Sequence, residues 1–472
     1  MKKTIGYILV LLVVVIAAAP FGFGFWADAR LNALLDDFNK AGVVDFTVIK
    51  TNKGWFSSNV IIEAELSSAM SQKLKKTKAG GADLDPPKIV LESTLHHGPF
   101  PFMSGKFSLA PVIATVDTKF LKDLESNEAL INIDYEMLTE FNLTGNTTVF
   151  LDIPEWSGPM GKDNATVEWK GLVGTIKLAK GLSHADMDVQ APLLKINSET
   201  GGLTIGSLNL KSTSKVGIAG LSLGKADFSI GNIEFNDKKA GSAFSIGNTT
   251  IKADTSESGG NLDSKLDFNM ADLKIAGDAY GPAVFSMAFR NFEANSIARI
   301  NEKLKEIQAQ GIPQDQANMM MGMALMSELT NLLKEGPEIE IAELSLASTV
   351  GKLTGNASIL IDASRPELLS NPMLIKDAVI GKLDFEVPEE LLVAFNMGVL
   401  RKELKDVSIQ YTDEQLKTMA KSRVNKRMEA MVSANIFIKV GNMYKISASF
   451  EKGVPTVNGK ILPIPFGAAP TR

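Results

Sequence analysis

Residues 265–275 read KLDFNMADLKI, and this stretch carries the pattern that decides the fold. Apolar and polar side chains alternate along it with one slip at Ala271, so that the apolar positions are Leu266, Phe268, Met270, Leu273 and Ile275. Alternation with a period of two is typical of a strand with one buried face, and a one-residue slip is typical of a β-bulge. We therefore predict a strand here, with a bulge at Ala271.

The same alternation extends from about Ser57 to Phe292, with Gly and Asn residues between the apolar runs. It predicts a long antiparallel sheet with one apolar face, which a second layer, helices or a ligand must cover. The segment Phe228–Asn232, FSIGN, recurs as Phe244–Asn248. That spacing predicts a strand-plus-turn unit repeated side by side.

Helical spacing of apolar residues appears after this region. It predicts four helices, the last opened by a capping box of Thr412 and Gln415: 291–310, 314–334, 388–400 and 412–434. Shorter strands are predicted at 338–345, 358–362, 382–387 and within 437–452, followed by a tail rich in Pro and Gly.

Composition excludes several classes of site. The 472 residues include no Cys and three His, and 49 Lys+Arg stand against 54 Asp+Glu, which gives a net charge of −5. No disulfide framework, thiolate nucleophile or Cys-ligated metal centre can form without Cys, and a chain without excess basic charge is a poor partner for nucleic acid. We predict that the protein is not an enzyme and has no catalytic, cofactor-binding or metal-binding residues and no nucleic-acid partner.

The N-terminus predicts a membrane anchor. Lys2 and Lys3 precede an uncharged run from Ile5 to Ala27, which is long enough to cross the hydrocarbon core as a helix. The lysines favour a cytoplasmic N-terminus, which would place residues 28–472 in the periplasm of a Gram-negative bacterium. A cleaved signal peptide is the alternative, although the apolar run is longer than such peptides usually have, and cleavage stays open.

The predicted fold class is therefore α+β and β-rich, with an elongated antiparallel β-sheet region packed against a few amphipathic helices. Four parts are expected along the chain: an N-terminal transmembrane anchor at 1–27, a β-rich periplasmic region at 28–290, a helical pair at 291–336 and a mixed α/β region at 337–472. Whether the β-rich region is one sheet or several domains stays open.

Two local motifs have a catalytic interpretation that we reject. Ser222 lies in G-x-S-x-G, but that nucleophile motif needs a strand-to-helix turn and a later His, and His184 is the last histidine. His96 and His97 precede Gly-Pro-Phe-Pro at 98–101; adjacent strand residues point to opposite faces and rarely bind one metal. We interpret the second motif as a rigid elbow anchored by its phenylalanines.

Three further groups have both a structural and a functional interpretation. Five methionines of one predicted helix are expected to fill a core rather than to line an apolar groove: Met319, Met320, Met321, Met323 and Met326. The basic residues after Thr412 are expected on the solvated face of a packed helix, with an anionic membrane surface as the alternative: Lys417, Lys421, Arg423, Lys426 and Arg427. The pairs Asp36-Asp37 and Glu389-Glu390 are interpreted as surface residues.

Several of these features together resemble the YdgA-like family of bacterial envelope proteins. They are the lysine-flanked apolar run, Gly54–Ser58 (GWFSS) before a strand, and the stretch from Glu92 to Pro101 that ends in HGPFP. The stretches after Thr412 and from Phe450 to Gly459 are similar too, so the resemblance covers nearly the whole chain. It implies an inner-membrane anchor and a periplasmic body, and it implies no reaction, because the family is a domain of unknown function.

These observations lead to one favoured function and two alternatives. The favoured one is a non-enzymatic envelope protein, anchored in the inner membrane through residues 5–27, whose apolar sheet face shelters a lipid or another apolar ligand. The first alternative is a scaffold with a closed core that binds another envelope protein. The second is a hydrolase that uses a pair of carboxylates, which would need a cleft that holds two Asp or Glu residues of divergent pKa.

Overall fold

The computed structural model describes most of the chain, and every structural statement below refers to the residues that it describes. These are 23–40, 44–67, 88–97, 102–103, 106–107, 112–120, 136–142, 144–160, 165–238, 242–275, 278–310, 312, 314–365, 367, 374–404 and 411–462. The greater part of the predicted anchor, residues 5–22, and the elbow at 98–101 lie outside this set.

The chain divides into two compact units. Unit 1 comprises Met1–Val216 with Gln308–Gln310, and unit 2 comprises Gly217–Ile307 with Gly311–Arg472. The division predicted from the sequence, with boundaries after residues 27, 290 and 336, stays a prediction.

The described part of unit 1 begins with the helix α1 at residues 23–40, which is followed by strands and by a short 3₁₀-helix at Lys180–Leu182. The strands are β1 (Val44–Lys53), β2 (Ser57–Leu66), β3 (Lys88–His97), β4 (Phe102–Met103), β5 (Lys106–Phe107), β6 (Val112–Phe120), β7 (Glu136–Asn142), β8 (Thr147–Ile153), β9 (Trp156–Met160), β10 (Ala165–Trp169), β11 (Leu172–Leu178), β12 (His184–Ala191), β13 (Leu194–Ser198), β14 (Gly201–Ile205) and β15 (Leu208–Val216). Antiparallel neighbours follow the order β1-β2-β3-β6-β7-β8-β11-β12-β15, and a second row follows the order β9-β10-β13-β14.

Unit 2 contains further antiparallel strands and most of the helices. The strands are β16 (Ser222–Ile230), β17 (Ile233–Asp237), β18 (Ser242–Ile246), β19 (Thr249–Ser258), β20 (Asn261–Met270), β21 (Leu273–Ile275), β22 (Asp278–Glu293), β23 (Glu338–Ser348), β24 (Gly351–Ile361), β25 (Val379–Pro388), β26 (Ile438–Val440), β27 (Met443–Glu451), β28 (Val454–Val457) and β29 (Lys460–Ile461). The helices are α2 (Ala294–Ala309), α3 (Gln314–Lys334), α4 (Ile375–Ala378), α5 (Glu389–Glu403) and α6 (Asp413–Ser433). The main row of neighbours is β16-β19-β20-β22-β23-β24-β25-β27.

Two-residue bends interrupt the long strands in both units. They fall at 154–155, 170–171, 192–193 and 206–207 in unit 1, and at 231–232, 247–248 and 271–272 in unit 2. Neighbouring bends bond to each other: the Gly247 amide donates to the Asp272 carbonyl at 2.7 Å, and the Ala271 amide donates to the Asn248 carbonyl at 2.9 Å. The bends of neighbouring strands therefore form a line along which the sheet segments are interrupted, and we call this line the crease.

This crease corrects two sequence predictions. Ala271 lies in a two-residue break between β20 and β21, and not in a bulge of one strand. Both strands pair with β22, but on their other side β20 pairs with β19 and β21 pairs with β18. The two FSIGN copies each end a strand and enter a bend, but β16 pairs with β19 while β18 pairs with β17 and β21, so the copies are not side by side. The tail is also more regular than predicted, because β28 and β29 form a hairpin.

The helix predictions are largely confirmed. The helix α3 has the predicted bounds, and α2 starts at Ala294 rather than at Asn291, whose φ of 60° is incompatible with a right-handed helix. At α6 the Gln415 amide donates to Thr412 Oγ1 at 3.3 Å, and the Thr412 amide donates to Gln415 Oε1 at 2.9 Å, which is the predicted capping box.

The core of unit 1 lies between α1 and the apolar side of β1, β2, β3 and β7. Ala27, Leu31 and Leu35 project from one side of α1 and are buried against strand residues that include Leu95 and Phe141. Residues 23–27 belong to the predicted anchor, yet they begin this helix, and Ala27 is fully buried in the core. Among the described residues, no helix combines the length and apolar character of a membrane span.

An ion pair joins α2 to α3. The Arg299 guanidinium donates from Nε to Glu328 Oε1 at 2.8 Å and from Nη2 to Glu328 Oε2 at 2.6 Å, and the fully buried Ser296 hydroxyl donates to Glu328 Oε2 at 2.9 Å. Arg299, with help from Ser296, lowers the pKa of the Glu328 carboxyl to about 2 from an ordinary value of 4.5. The pair is a bidentate, charge-assisted contact, which is the stronger class of hydrogen bond.

Replacing Glu328 by Gln is expected to destabilise the α2–α3 pair by about 2 kcal/mol at pH 7, because the Arg299 charge loses its partner. Since the pKa is lowered in the folded state, the wild-type contribution is complete above the ordinary carboxyl pKa and is lost as the pH falls from about 5 towards 2. Hydrogen exchange of α2 and α3 between pH 7 and pH 3 should show this loss in the wild type and a flatter profile in E328Q. Glu306→Gln is the control, because its pair with Lys303 is exposed to solvent and should contribute little to stability.

Candidate functional site

The main sheet of unit 2 has one apolar face that runs across successive strands. Cross-strand partners on this face are apolar pair by pair, as in Ile251 opposite Phe268, Phe268 opposite Phe285, and Phe285 opposite Leu344. Side chains two residues apart on a strand share a face, so the aromatic and aliphatic positions line up across the sheet.

The opposite face of the same strands is charged. Lys225 pairs with Asp254 at 3.1 Å across β16 and β19, and Lys265 pairs with Asp267 at 2.8 Å within β20. Lys265, followed by the Ser286 hydroxyl, lowers the pKa of the Asp267 carboxyl. Because charged side chains are stable in contact with water, the apolar face is the one that needs a cover.

Helices cover the apolar face at its two ends. At one end α5 and α6 pack on Val387 and Tyr444 through a buried cluster that includes Leu391 and Val424. At the other end Leu333 of α3 and Ala378 of α4 form a cluster with Ile361, the last residue of β24. Both covers lie within unit 2.

Between the two covers the apolar side chains are open to solvent. We call this patch the apolar window and define it by Phe289, Ile339, Ile359, Leu383 and Phe450. Ile359 is 52% exposed, Ile339 is 38% exposed and Leu383 is 36% exposed, while the two phenylalanines are half-buried.

The register shows that the window is contiguous. Phe289 lies opposite Ile339, Ile339 opposite Ile359, and Ile359 opposite Gly381, which in turn lies opposite Phe450. This row crosses five strands, so at the usual strand spacing it is about 19 Å long. Single exposed apolar residues are common on protein surfaces, but a connected row of them indicates a binding surface.

The apolar window offers only apolar contacts to a ligand. Its five side chains carry no nucleophile, no titratable group and no hydrogen-bond donor, and Gly381 places no side chain between Ile359 and Phe450. A surface of this kind gains free energy by removing hydrocarbon from water, at roughly 25 cal/mol per Å² of apolar area. It can therefore hold an acyl chain or an apolar protein segment.

Unit 1 also has a sheet with one apolar face and one charged face. Val149, Ile176 and Met187 are successive cross-strand neighbours on its apolar face, while Lys211 and Asp188 pair at 3.1 Å on the other face. Val149 is buried, and Ile176 and Met187 are half-buried, so this face is less open than the apolar window.

A shallow cavity of about 260 Å³ lies on the charged side of β23, β24 and β25, where Glu343, Asp384 and Glu386 line it. Glu386 accepts from Lys445 Nζ at 2.7 Å, and Glu343 accepts from the Ser345 hydroxyl at 3.0 Å. In the part of the chain that the structure describes, no cluster of His, Asp or Glu has the arrangement of a metal site. This cavity holds the kind of carboxylate group that the hydrolase hypothesis requires.

The two motifs with a catalytic interpretation occupy structural positions. Ser222 begins the strand β16, with Gly220 in a turn before it, and no strand-to-helix turn forms there. His97 is buried, and its Nε2 lies 2.9 Å from the Ser58 hydroxyl while its Nδ1 lies 3.4 Å from the Trp55 carbonyl oxygen. These contacts hold β2 and β3 together beneath Gly24 of α1, which lies against the His97 ring.

The basic residues of α6 lie on its solvated face. The helix α6 packs through Leu416, Ala420, Val424 and Met428, and three of its five basic residues reach the acidic side chains of α5: Lys417 and Lys421 near Glu390, and Arg423 at Glu403. Its basic face is thus the solvated face of a packed helix, as predicted.

Two predictions about burial were wrong. Glu389 is buried rather than on the surface, and its carboxylate is paired with Lys439, a contact that raises the pKa of the Lys439 ammonium. Met319, Met323 and Met326 are exposed rather than in a core, at 62%, 58% and 63%. For Asp36-Asp37, by contrast, Asp36 is exposed and Asp37 pairs with Lys40 at 3.7 Å.

Comparison with known proteins gives one match. The sequence model of a family described as bacterial protein of unknown function (DUF945) matches residues 1–465. No curated protein and no solved structure matches the chain.

Proposed function

The chain belongs to the bacterial protein family of unknown function DUF945, and from this premise we propose that it is a non-enzymatic envelope protein that shelters a lipid acyl chain on its apolar window. The observation that carries the proposal is the partly exposed apolar row from Phe289 to Phe450, with Ile339 and Ile359 open to solvent, between two helical covers of the same sheet face. An extended acyl chain laid across five strands would bury this row without needing any polar contact.

Within the family we place the chain with the YdgA-like proteins, on the motifs GWFSS and HGPFP. Location follows from the same proposal: the apolar run from Ile5 would anchor the protein in the inner membrane, with Lys2 and Lys3 in the cytoplasm and the body in the periplasm. Gly24 and Ala27 pack on the sheet of unit 1, so the proposed membrane segment ends before them.

The test uses a photoreactive amino acid at position 359 of the full-length protein in living cells. Irradiation is expected to produce an adduct with the mass of a lipid, because Ile359 is the most exposed side chain of the apolar window. The control is the same photoreactive residue at Asn356, which is exposed on the opposite face of the same strand. It should give no lipid adduct.

Each other result rejects the proposal. A protein adduct at position 359 without lipid would replace lipid shelter by the scaffold function. No adduct at position 359, or equal lipid adducts at 359 and 356, would show that the apolar window has no selective ligand.

A further inference from the structure

The helix α3 changes character along its length. Near its C-terminus Leu332 and Leu333 are each 9% exposed, and Leu333 packs on Ile361. In its middle the side chains of Met319, Met323 and Met326 are open to solvent at 62%, 58% and 63%. Packing therefore explains the leucines and leaves the methionines without a structural role among the described residues.

The three methionines lie on one face of the helix. Spacings of four and three residues bring side chains next to each other, and at 100° per residue the three positions fall within an arc of about 60°. Gly322 lies on the same face, and a side chain built there would meet no atom within 4 Å. The face is thus a free stripe of three thioethers, which we call the methionine stripe.

We propose that the methionine stripe binds a soft monovalent cation, Cu(I). Thioether sulfur is a soft ligand that selects Cu(I), whereas oxygen ligands suit hard cations such as Mg²⁺ and Ca²⁺. Three rotatable bonds allow each methionine to turn its sulfur towards a shared point. Asp315 is exposed one turn before Met319 on the same face, and its carboxylate supplies a negative charge near the bound ion.

Leucine substitution separates this proposal from an apolar docking surface. Leucine keeps the size, the apolar character and the helix propensity of methionine, and it removes only the sulfur. An apolar partner would still bind a stripe of leucines, and a metal ion would not.

The experiment titrates the full-length protein in detergent with Cu(I) against a colorimetric Cu(I) chelator under reducing, oxygen-free conditions, and with Ag(I) as a redox-inert probe. The wild type is expected to bind one ion, and M319L/M323L/M326L is expected to lose it. The matched control is M320L/M321L, because these neighbours lie on other faces of the same helix and are half-buried. This control should bind like the wild type.

A second measurement does not depend on any variant folding. With ¹³C-labelled methionine methyl groups, Ag(I) should shift three resonances together in the wild type. Retained binding in the triple variant, loss in the control as well, or no coupled shift of three methyls would overturn the proposal.

Discussion

Replacing Leu391 by alanine is expected to lower the stability of the C-terminal cover by about 3 to 4 kcal/mol. Leu391 is fully buried at the centre of a cluster that joins α5, α6 and the sheet, where Val387 and Tyr444 lie beneath the helices. The smaller side chain would leave a cavity that the packed helices cannot fill without moving. Hydrogen exchange of Glu389–Glu403 and Asp413–Ser433 in increasing urea, in the full-length protein, measures the loss.

The matched control for this prediction is Val399→Ala on the same helix. Val399 is 49% exposed, so its truncation removes apolar area that is already half in water and should cost less than about 1 kcal/mol. Equal losses in the two variants would mean that α5 does not pack on the sheet through Leu391. Because the cover borders the apolar window, its loss in L391A should also expose Phe385 and Leu353, which pack against the same cluster.

Much of this architecture could be predicted from local sequence. The alternation at 265–270 predicts a strand because a half-buried strand must place every second side chain in an apolar environment. The capping box at Thr412 is equally local, since the two residues satisfy each other's amides within one turn. Both signals depend on neighbours in the sequence, and both were confirmed.

The crease could not be predicted in the same way. Gly231 and Asn232 predict an interruption between Ile230 and Ile233, but the local sequence does not show which strands pair on either side of it. At Ala271 the strands before and after the break both pair with β22 but have different partners on the other side, β19 and β18, and this pairing is set by residues outside the local stretch. The glycines of the two FSIGN copies were the available signal.

The candidate site also depends on contacts between residues that are far apart in the sequence. Ile339 and Ile359 have the same alternating pattern as the buried positions of β23 and β24, and only the course of the later helices decides which of them are covered. The methionines show the same limit: a run of apolar residues indicates burial, yet α3 packs through Leu333 and leaves Met323 outside. The apolar periodicity therefore predicts which face of an element is apolar, but only the tertiary structure shows whether another element covers that face.

The second large effect is expected at Ala27, where substitution by aspartate should destabilise the packing of α1 by about 4 kcal/mol or more. Ala27 is fully buried against the sheet of unit 1, so the new carboxylate would lose its hydration without gaining a partner. Hydrogen exchange of residues 23–40 and of β2 and β3 in the full-length protein in detergent should rise sharply. Unit 2 should keep its protection, since its clusters contain no residue of α1.

Ala29→Asp separates this loss from the general effect of aspartate in a helix. Ala29 is exposed two residues further along α1, and both substitutions lose the same helix propensity, which is less than about 1 kcal/mol. Strong destabilisation by A27D with near-neutral behaviour of A29D requires a helix with one buried side. Hydrocarbon would surround every side of a membrane-embedded helix, so both aspartates would then be costly. If A27D and A29D destabilise the protein equally, the packed body begins after Ala29. If only A27D is strongly destabilising, the proposed membrane segment ends before Ala27.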